Sequence, residues 1–233
     1  MSLSTLFARY LLFLLCLGLL SCQQETPTYK RVIEEKPWRA IQVGGYVMDF
    51  PADFNLIEEQ GVDSYVGRVQ GDEISLFFNY GSYANDLGPT PEEYLQDSAW
   101  LMEAAYPFLQ PGVEYDDRNW PKIQVLSIRK ATGQDSSLGA GCDYVARCQY
   151  QGKFFEHPVY LPEETKNTIF QLDTVEYQYR RIAVAKAPYT ITTGMYIRDI
   201  SEKDLALCIA TDSLTKAQQE LVLKIFSTVR KAR

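Results

Sequence analysis

The chain has 233 residues, of which 46% are hydrophobic, 13% aromatic and 23% charged, proportions that exclude a disordered or collagen-like chain. Thirty acids oppose 23 Lys plus Arg, so the net charge is -7 with the single His neutral, which leaves no basic footprint for DNA or RNA. No second apolar run of about 18 residues follows the amino-terminal one, which excludes a polytopic membrane protein.

The opening stretch reads as an export signal. Arg9 and the free amino terminus make a weakly positive start, and no acid precedes Glu25. Tyr10 to Leu20 is then an uncharged run of 11 residues, about half of what a bilayer-spanning helix needs and right for a signal-peptide core. It closes on Leu19-Leu20-Ser21-Cys22. A Leu three residues before a Cys, with a small Ser directly before it, resembles the lipobox of bacterial lipoproteins. The resemblance implies cleavage between Ser21 and Cys22, lipidation of Cys22, and a mature chain beginning at that residue. Gln23 in place of Asp implies, by the same resemblance, the outer membrane of a Gram-negative envelope. Residues 1–21 are thus expected to be a signal peptide. Removing them deletes Arg9 and no acid, so the acyl chains, not charge, are expected to hold the protein on its membrane.

Residues 22–37 are polar and charged, with Pro27 and no apolar periodicity, as in a tether. From residue 38 onward no repeat or second linker interrupts the chain, and one domain over 38–233 is expected. Ile41 and Val43 alternate with polar neighbours, Gly44-Gly45 interrupts, and Tyr46 to Phe50 resumes the strand pattern. Tyr65 to Tyr80 reads as a hairpin closed at Gly71-Asp72, which sets Val69 opposite Ile74 and Gly67 opposite Leu76. Thr90-Pro91-Glu92-Glu93 is a capping box with Pro at the first helical position. Tyr94, Leu95, Leu101, Met102 and Ala105 then recur at helical spacing up to Pro107.

Lys122 to Arg129 reads as a strand with a phase slip between Val125 and Leu126. Cys142 to Tyr150 alternates, Gln151-Gly152 turns, and Lys153 to Tyr160 returns. Val175 to Val184 predicts one long strand, with Arg180-Arg181 marking a bulge or a change of face. Gly194 to Ile200 and Leu205 to Ala210 predict a last hairpin. Thr215 and Gln218 cap a final helix whose apolar stripe is Leu221, Val222, Ile225, Phe226 and Val229, with Arg230, Lys231 and Arg233 at its negative end.

The predicted class is α+β, a mainly antiparallel sheet with two amphipathic helices packed on it. The order of elements, the segment ending Phe50-Pro51, and the closing run Leu214-Thr215-Lys216-Ala217-Gln218-Gln219 leading to Ile225-Phe226-Ser227-Thr228 resemble the PsbP/Mog1/DcrB-like proteins. That resemblance implies an accessory or binding role rather than an enzyme, and it names no ligand.

Chemistry is sparse. His157 stands alone, and no G-x-S-x-G elbow supports a serine triad. Cys142 and His157 are the sharpest nucleophile–base pair, although pairing through Gln151-Gly152 sets Cys148 opposite Phe155 and leaves Cys142 further along than His157 can readily reach. Cys142, Cys148 and Cys208 are expected to be reduced; Cys208 paired with one of the others is the alternative. With no CxxC and no second His, no zinc site or cofactor is expected. Glu114, Asp116, Asp117 and Asn119 form an acidic loop that lacks the Gly and the closing Glu of a calcium loop. Tyr is abundant, and Tyr144, Tyr150, Tyr177 and Tyr179 are the candidates for a binding face. The expectation is a non-catalytic envelope lipoprotein that binds a protein or small ligand and no nucleic acid. A hydrolase using loop carboxylates is the alternative.

Overall fold

The computed structural model describes residues 37–232 except 98, 117, 176 and 202–204. Ser21, Cys22 and the tether up to residue 36 lie outside the described residues. Among the described residues, no helix is long and apolar enough to cross a membrane.

Gly44-Gly45 turns β1 (Trp38–Val43) onto β2 (Tyr46–Pro51), with Gly44 in the left-handed region at φ 57°. The chain continues through β3 (Asn55–Glu59), β4 (Tyr65–Gln70) and β5 (Ser75–Gly81). The helical stretch is split into α1 (Pro91–Gln96) and α2 (Ala99–Ala105). Next come β6 (Gln124–Lys130), β7 (Tyr144–Tyr150), β8 (Lys153–Val159) and the single turn of helix α3 (Glu163–Lys166). The chain closes with β9 (Thr168–Val175), β10 (Gln178–Ala185), β11 (Thr193–Asp199), β12 (Ala206–Thr211), α4 (Lys216–Ser227) and β13 (Arg230–Lys231). Three antiparallel sheets result, ordered β1-β2-β13, β3-β4-β5-β12-β11-β10-β9 and β6-β7-β8. The domain is α+β.

Alternation along the central strands decides where the main core sits. Val69, Leu76, Phe78, Met195, Ile197, Leu207 and Ile209 share one face of the seven-stranded sheet. The β1–β2 hairpin covers that face with Val43, Met48 and Phe50, and α4 covers it with Val222, Ile225 and Phe226. Full burial of each such side chain contributes ~1.5–3 kcal/mol. Thr215 and Gln218 complete the capping box of α4. At the other end, Thr228 Oγ1 accepts from Asp49 N at 2.8 Å, fixing the helix to β2. A second core forms where α1 and α2 cover the small sheet. Trp100, Ala146, Cys148 and Val159 are buried there, with Tyr94, Leu95, Tyr144 and Phe155 against them. Arg181 on β10 joins the two parts: its guanidinium donates to the carbonyls of Asp86 and Gly88 and pairs with Glu93 on α1.

Several expectations are corrected. The Tyr65–Tyr80 hairpin exists, but its register is two residues off: Val69 opposes Leu76 and Gly67 opposes Phe78. Gly71 N donates to Ile74 O at 2.8 Å, closing a four-residue loop that lets Ile74 turn into the core, 5% exposed. Gly71 is needed for close approach, since a Cβ there would stand 2.6 Å from the Phe54 ring. Of the stretch expected as one strand from Val175 to Val184, residues 178–184 do lie in one strand, β10, but Val175 ends β9, which pairs with β10 across a turn that holds Tyr177 at φ 69°. Arg180 and Arg181 keep regular register with both neighbours, so no bulge forms there. Arg230 and Lys231 do not decorate the helix end. They form β13 on β2 and pair with Asp49 at 2.8 Å and Asp199 at 2.7 Å. The expected phase slip in β6 is a bulge at Leu126.

Candidate functional site

The richest cleft grows out of α2 and the loop behind it. Ala99–Ala105 buries Trp100 and Ala104 and leaves Met102 half exposed on the other side. Tyr106–Phe108 forms a 3-10 turn, and Phe108 closes on Tyr150 and Phe155 with ring centroids 4.7 and 5.1 Å apart. The returning loop is held by its own polar groups. Asp116 Oδ1 accepts from Arg118 N at 2.9 Å and Asn119 N at 3.3 Å, while Asn119 Nδ2 donates to Glu114 O at 2.9 Å. Such Asx-type closure holds a loop without regular structure.

That loop presents Tyr115 and Trp120. The Trp120 ring meets Tyr115 at 5.8 Å and 79°, and Tyr106 at 6.4 Å and 74°, both edge-to-face arrangements. Tyr115 and Trp120, with Leu101, Met102, Pro121 and Ile123, wall a cleft of about 510 Å³, with Asp116 and Lys122 also lining it. Trp120 Nε1 is buried and has no acceptor among the described residues. A buried donor left unpaired costs ~1–3 kcal/mol, and this one lies behind the face that Trp120 turns to the cleft. The Arg118 side chain, bonded to Asp116 at 2.6 Å, holds that carboxyl below the usual carboxylate range, and backbone N–H bonds add to this. Asp116 is therefore committed to its loop. Among the described residues no group of three or more acidic, Cys or His side chains is placed to hold a metal; Asp117 lies outside them.

A second cavity, about 440 Å³, lies on the other face of the large sheet. Small side chains make its floor, Ala183, Cys208 and Ala210, and residues 85–88 make its roof. Leu87, at φ 69°, reaches down to Gly194, where a Cβ would stand 2.7 Å from Leu87 Cδ2. Burial first and the Asp86 charge second push the Cys208 thiol up to about 12, so it behaves as a small apolar group.

Cys142, Cys148 and Cys208 are all free. His157 opposes Ala146 and stacks on Trp100 at 6.2 Å. Burial lowers its pKa, with Glu103 opposing, so it is neutral near pH 7. Cys142 lies four residues along from Ala146, about 13 Å away at strand rise, and the two are not brought together. The four candidate tyrosines are divided between two sheets. Tyr144 and Tyr150 end β7 and pack on the second core and on Phe108. Tyr177 is 80% exposed at the β9–β10 turn, and Tyr179 leans on Tyr196 at 6.3 Å. The aromatic cleft was not legible beforehand; the one available signal was Trp120-Pro121 closing the acidic loop. Comparison with protein-family models and with curated proteins finds no match to this chain.

Proposed function

We propose that this chain is a lipid-anchored protein of the cell envelope, held through Cys22, whose α+β domain is a non-catalytic binding module. Leu19-Leu20-Ser21-Cys22 supports the anchor, and Gln23 supports the outer membrane. The observation that carries the binding reading is the mostly apolar, aromatic cleft walled by Tyr115, Trp120, Leu101, Met102, Pro121 and Ile123, with Lys122 as a charged donor on its lining. An apolar pocket with one or two placed polar groups is what small-ligand sites are made of. The ligand class that fits is an apolar or aromatic group carrying a hydrogen-bond acceptor. The hydrolase alternative needs two converging carboxylates, and the commitment of Asp116 to Arg118 argues against it. A likeness to the PsbP/Mog1/DcrB-like group belongs to the same proposal. It rests on the early extended segment, the hairpin and the capped closing helix.

The test is a fluorescence titration with 8-anilinonaphthalene sulfonate, an apolar ring system bearing acceptor oxygens. The folded protein should bind about one equivalent, Trp120→Phe should weaken binding, and Trp120→Ala should abolish it while the melting transition stays cooperative. Equal dye binding by wild type and Trp120→Ala removes the cleft from the account.

A further inference from the structure

Lys130, Lys166 and Lys186, from three different elements, line one pocket of about 340 Å³. Lys130 ends β6, Lys166 ends α3 and Lys186 directly follows β10. Register explains how they meet. Lys130 opposes Tyr144 at the start of β7, and Lys186 N donates to Asn167 O at 2.7 Å, which holds the end of β10 against α3. Among the described residues, Asp143 is the one carboxylate on the lining, and it is already engaged. Its Oδ2 accepts from Leu161 N at 2.9 Å and pairs with Lys166 Nζ at 3.1 Å. Glu163 takes a second bond from Lys166 Nζ, also at 3.1 Å. Lys186 Nζ donates to Lys166 O, and the Lys130 ammonium has no partner among the described residues. An ammonium carries three donors, so one N–H of Lys166, two of Lys186 and three of Lys130 stay available. Positive charge is thus gathered in one concave site of a chain whose net charge is -7. Like charges crowded in this way repel one another and draw in an anion.

We propose that this pocket binds the phosphate group of a small phosphomonoester. Among the described residues no Arg lines it, so there is no planar fork to match a carboxylate, and charge decides the ligand. A phosphate monoester carries close to two negative charges at neutral pH and three acceptor oxygens. A carboxylate or a phosphodiester carries one charge and gains less from several ammonium groups. The volume lies at the low end of the ~300–1,000 Å³ of ligand pockets, which suits a phosphate with a small organic remainder. Pro91 and Leu161 supply an apolar wall for that remainder. Tyr144 lines the same pocket, so one of the four candidate tyrosines belongs to a concave anion site rather than to a flat face. The site depends neither on the anchor nor on the aromatic cleft.

The test is isothermal titration of the full-length chain, in neutral detergent at constant ionic strength, with glycerol 3-phosphate. One saturable site with Kd below about 1 mM is expected. Inorganic phosphate, which lacks the organic part, should bind at least about threefold more weakly, and dimethyl phosphate, a monoanionic diester, at least about tenfold. Lys130→Ala should weaken glycerol 3-phosphate at least about fivefold, and Lys130→Ala with Lys186→Ala should abolish saturation. Both side chains are exposed, so these variants should keep a cooperative melting transition. Lys122→Ala, in the aromatic cleft, should bind like wild type. No saturable binding by wild type, equal affinity for glycerol 3-phosphate and dimethyl phosphate, or equal weakening by Lys122→Ala and Lys130→Ala would each overturn the site. Inorganic phosphate binding as tightly as glycerol 3-phosphate would overturn the monoester as its ligand.

Discussion

Arg181→Ala tests how the two parts of the domain are held together. Arg181 is 4% exposed, and its guanidinium donates to Gly88 O at 2.8 Å, to Asp86 O at 3.2 Å and to Tyr179 OH at 3.3 Å. It also pairs closely with Glu93 of α1. The two hydrogen bonds to carbonyls come from a charged guanidinium and contribute about 1.5 kcal/mol each, the low end of the charged range, and the pair with Glu93 ~1.5–3 kcal/mol in isolation. The Glu93 figure falls to about 1 kcal/mol here, because its side chain is 43% exposed and regains water when its partner leaves. The loss should be about 4 kcal/mol, comparable with the ~3–5 kcal/mol of breaking a buried pair. For a domain of this size that lowers Tm by about 8–16 °C. Glu93→Gln should cost only about 1 kcal/mol, since an amide oxygen still serves the capping contact to Thr90 N at 2.8 Å. Urea and thermal unfolding followed by circular dichroism measure both. A loss under about 1 kcal/mol for Arg181→Ala, or equal losses for the two variants, would refute the view that Arg181 is the fastener.

Asp135 supplies the acid response. Arg129 grips its carboxylate through two bonds of 2.7 and 2.8 Å, and Thr132 N adds a third at 2.7 Å. Together they hold the carboxyl well below the ordinary range. A carboxyl held low stabilises the fold fully above its unfolded pKa of about 4 and loses that contribution as pH falls below it. Asp135→Asn should therefore be less stable than wild type at neutral pH, with the gap closing as the medium is acidified; a gap independent of pH contradicts this. At Gly67, a Cβ would stand 2.4 Å from Ile57 O and 2.8 Å from the Phe78 ring. Gly67→Ala should cost about 2 kcal/mol in the urea midpoint through overpacking, and an unchanged midpoint would show that β3 does not sit so close to β4.

Local rules read the chain well where one residue decides the geometry. Thr90 with Glu93 and Thr215 with Gln218 are capping boxes in sequence and in space, because a cap needs only its own four residues. The Cys148–Phe155 pairing is also as expected, fixed by the short Gln151-Gly152 turn. The hairpin at Gly71 was read with the right faces and the wrong register, since a two-residue shift preserves alternation. What moved it was tertiary: Phe54 occupies the space beside Gly71, and Ile74 is drawn into the core. β9 was missed because its turn into β10 uses Tyr177 in a left-handed conformation rather than Gly or Asn. The cleft was illegible for a similar reason. Met102 and Leu101 look like helix stripe and Asp116 like a solvated acid, and only the fold brings Tyr106, Tyr115 and Trp120 around one point.

The anchor underlies the whole placement of the protein and can be tested directly. Intact mass and membrane fractionation of wild type beside Cys22→Ala decide it. The account predicts that wild type fractionates with the membrane at the mass of an acylated chain beginning at Cys22, and that Cys22→Ala is unprocessed or released. Identical mass and distribution of the two variants would contradict the lipid anchor and, with it, the assignment to the cell envelope.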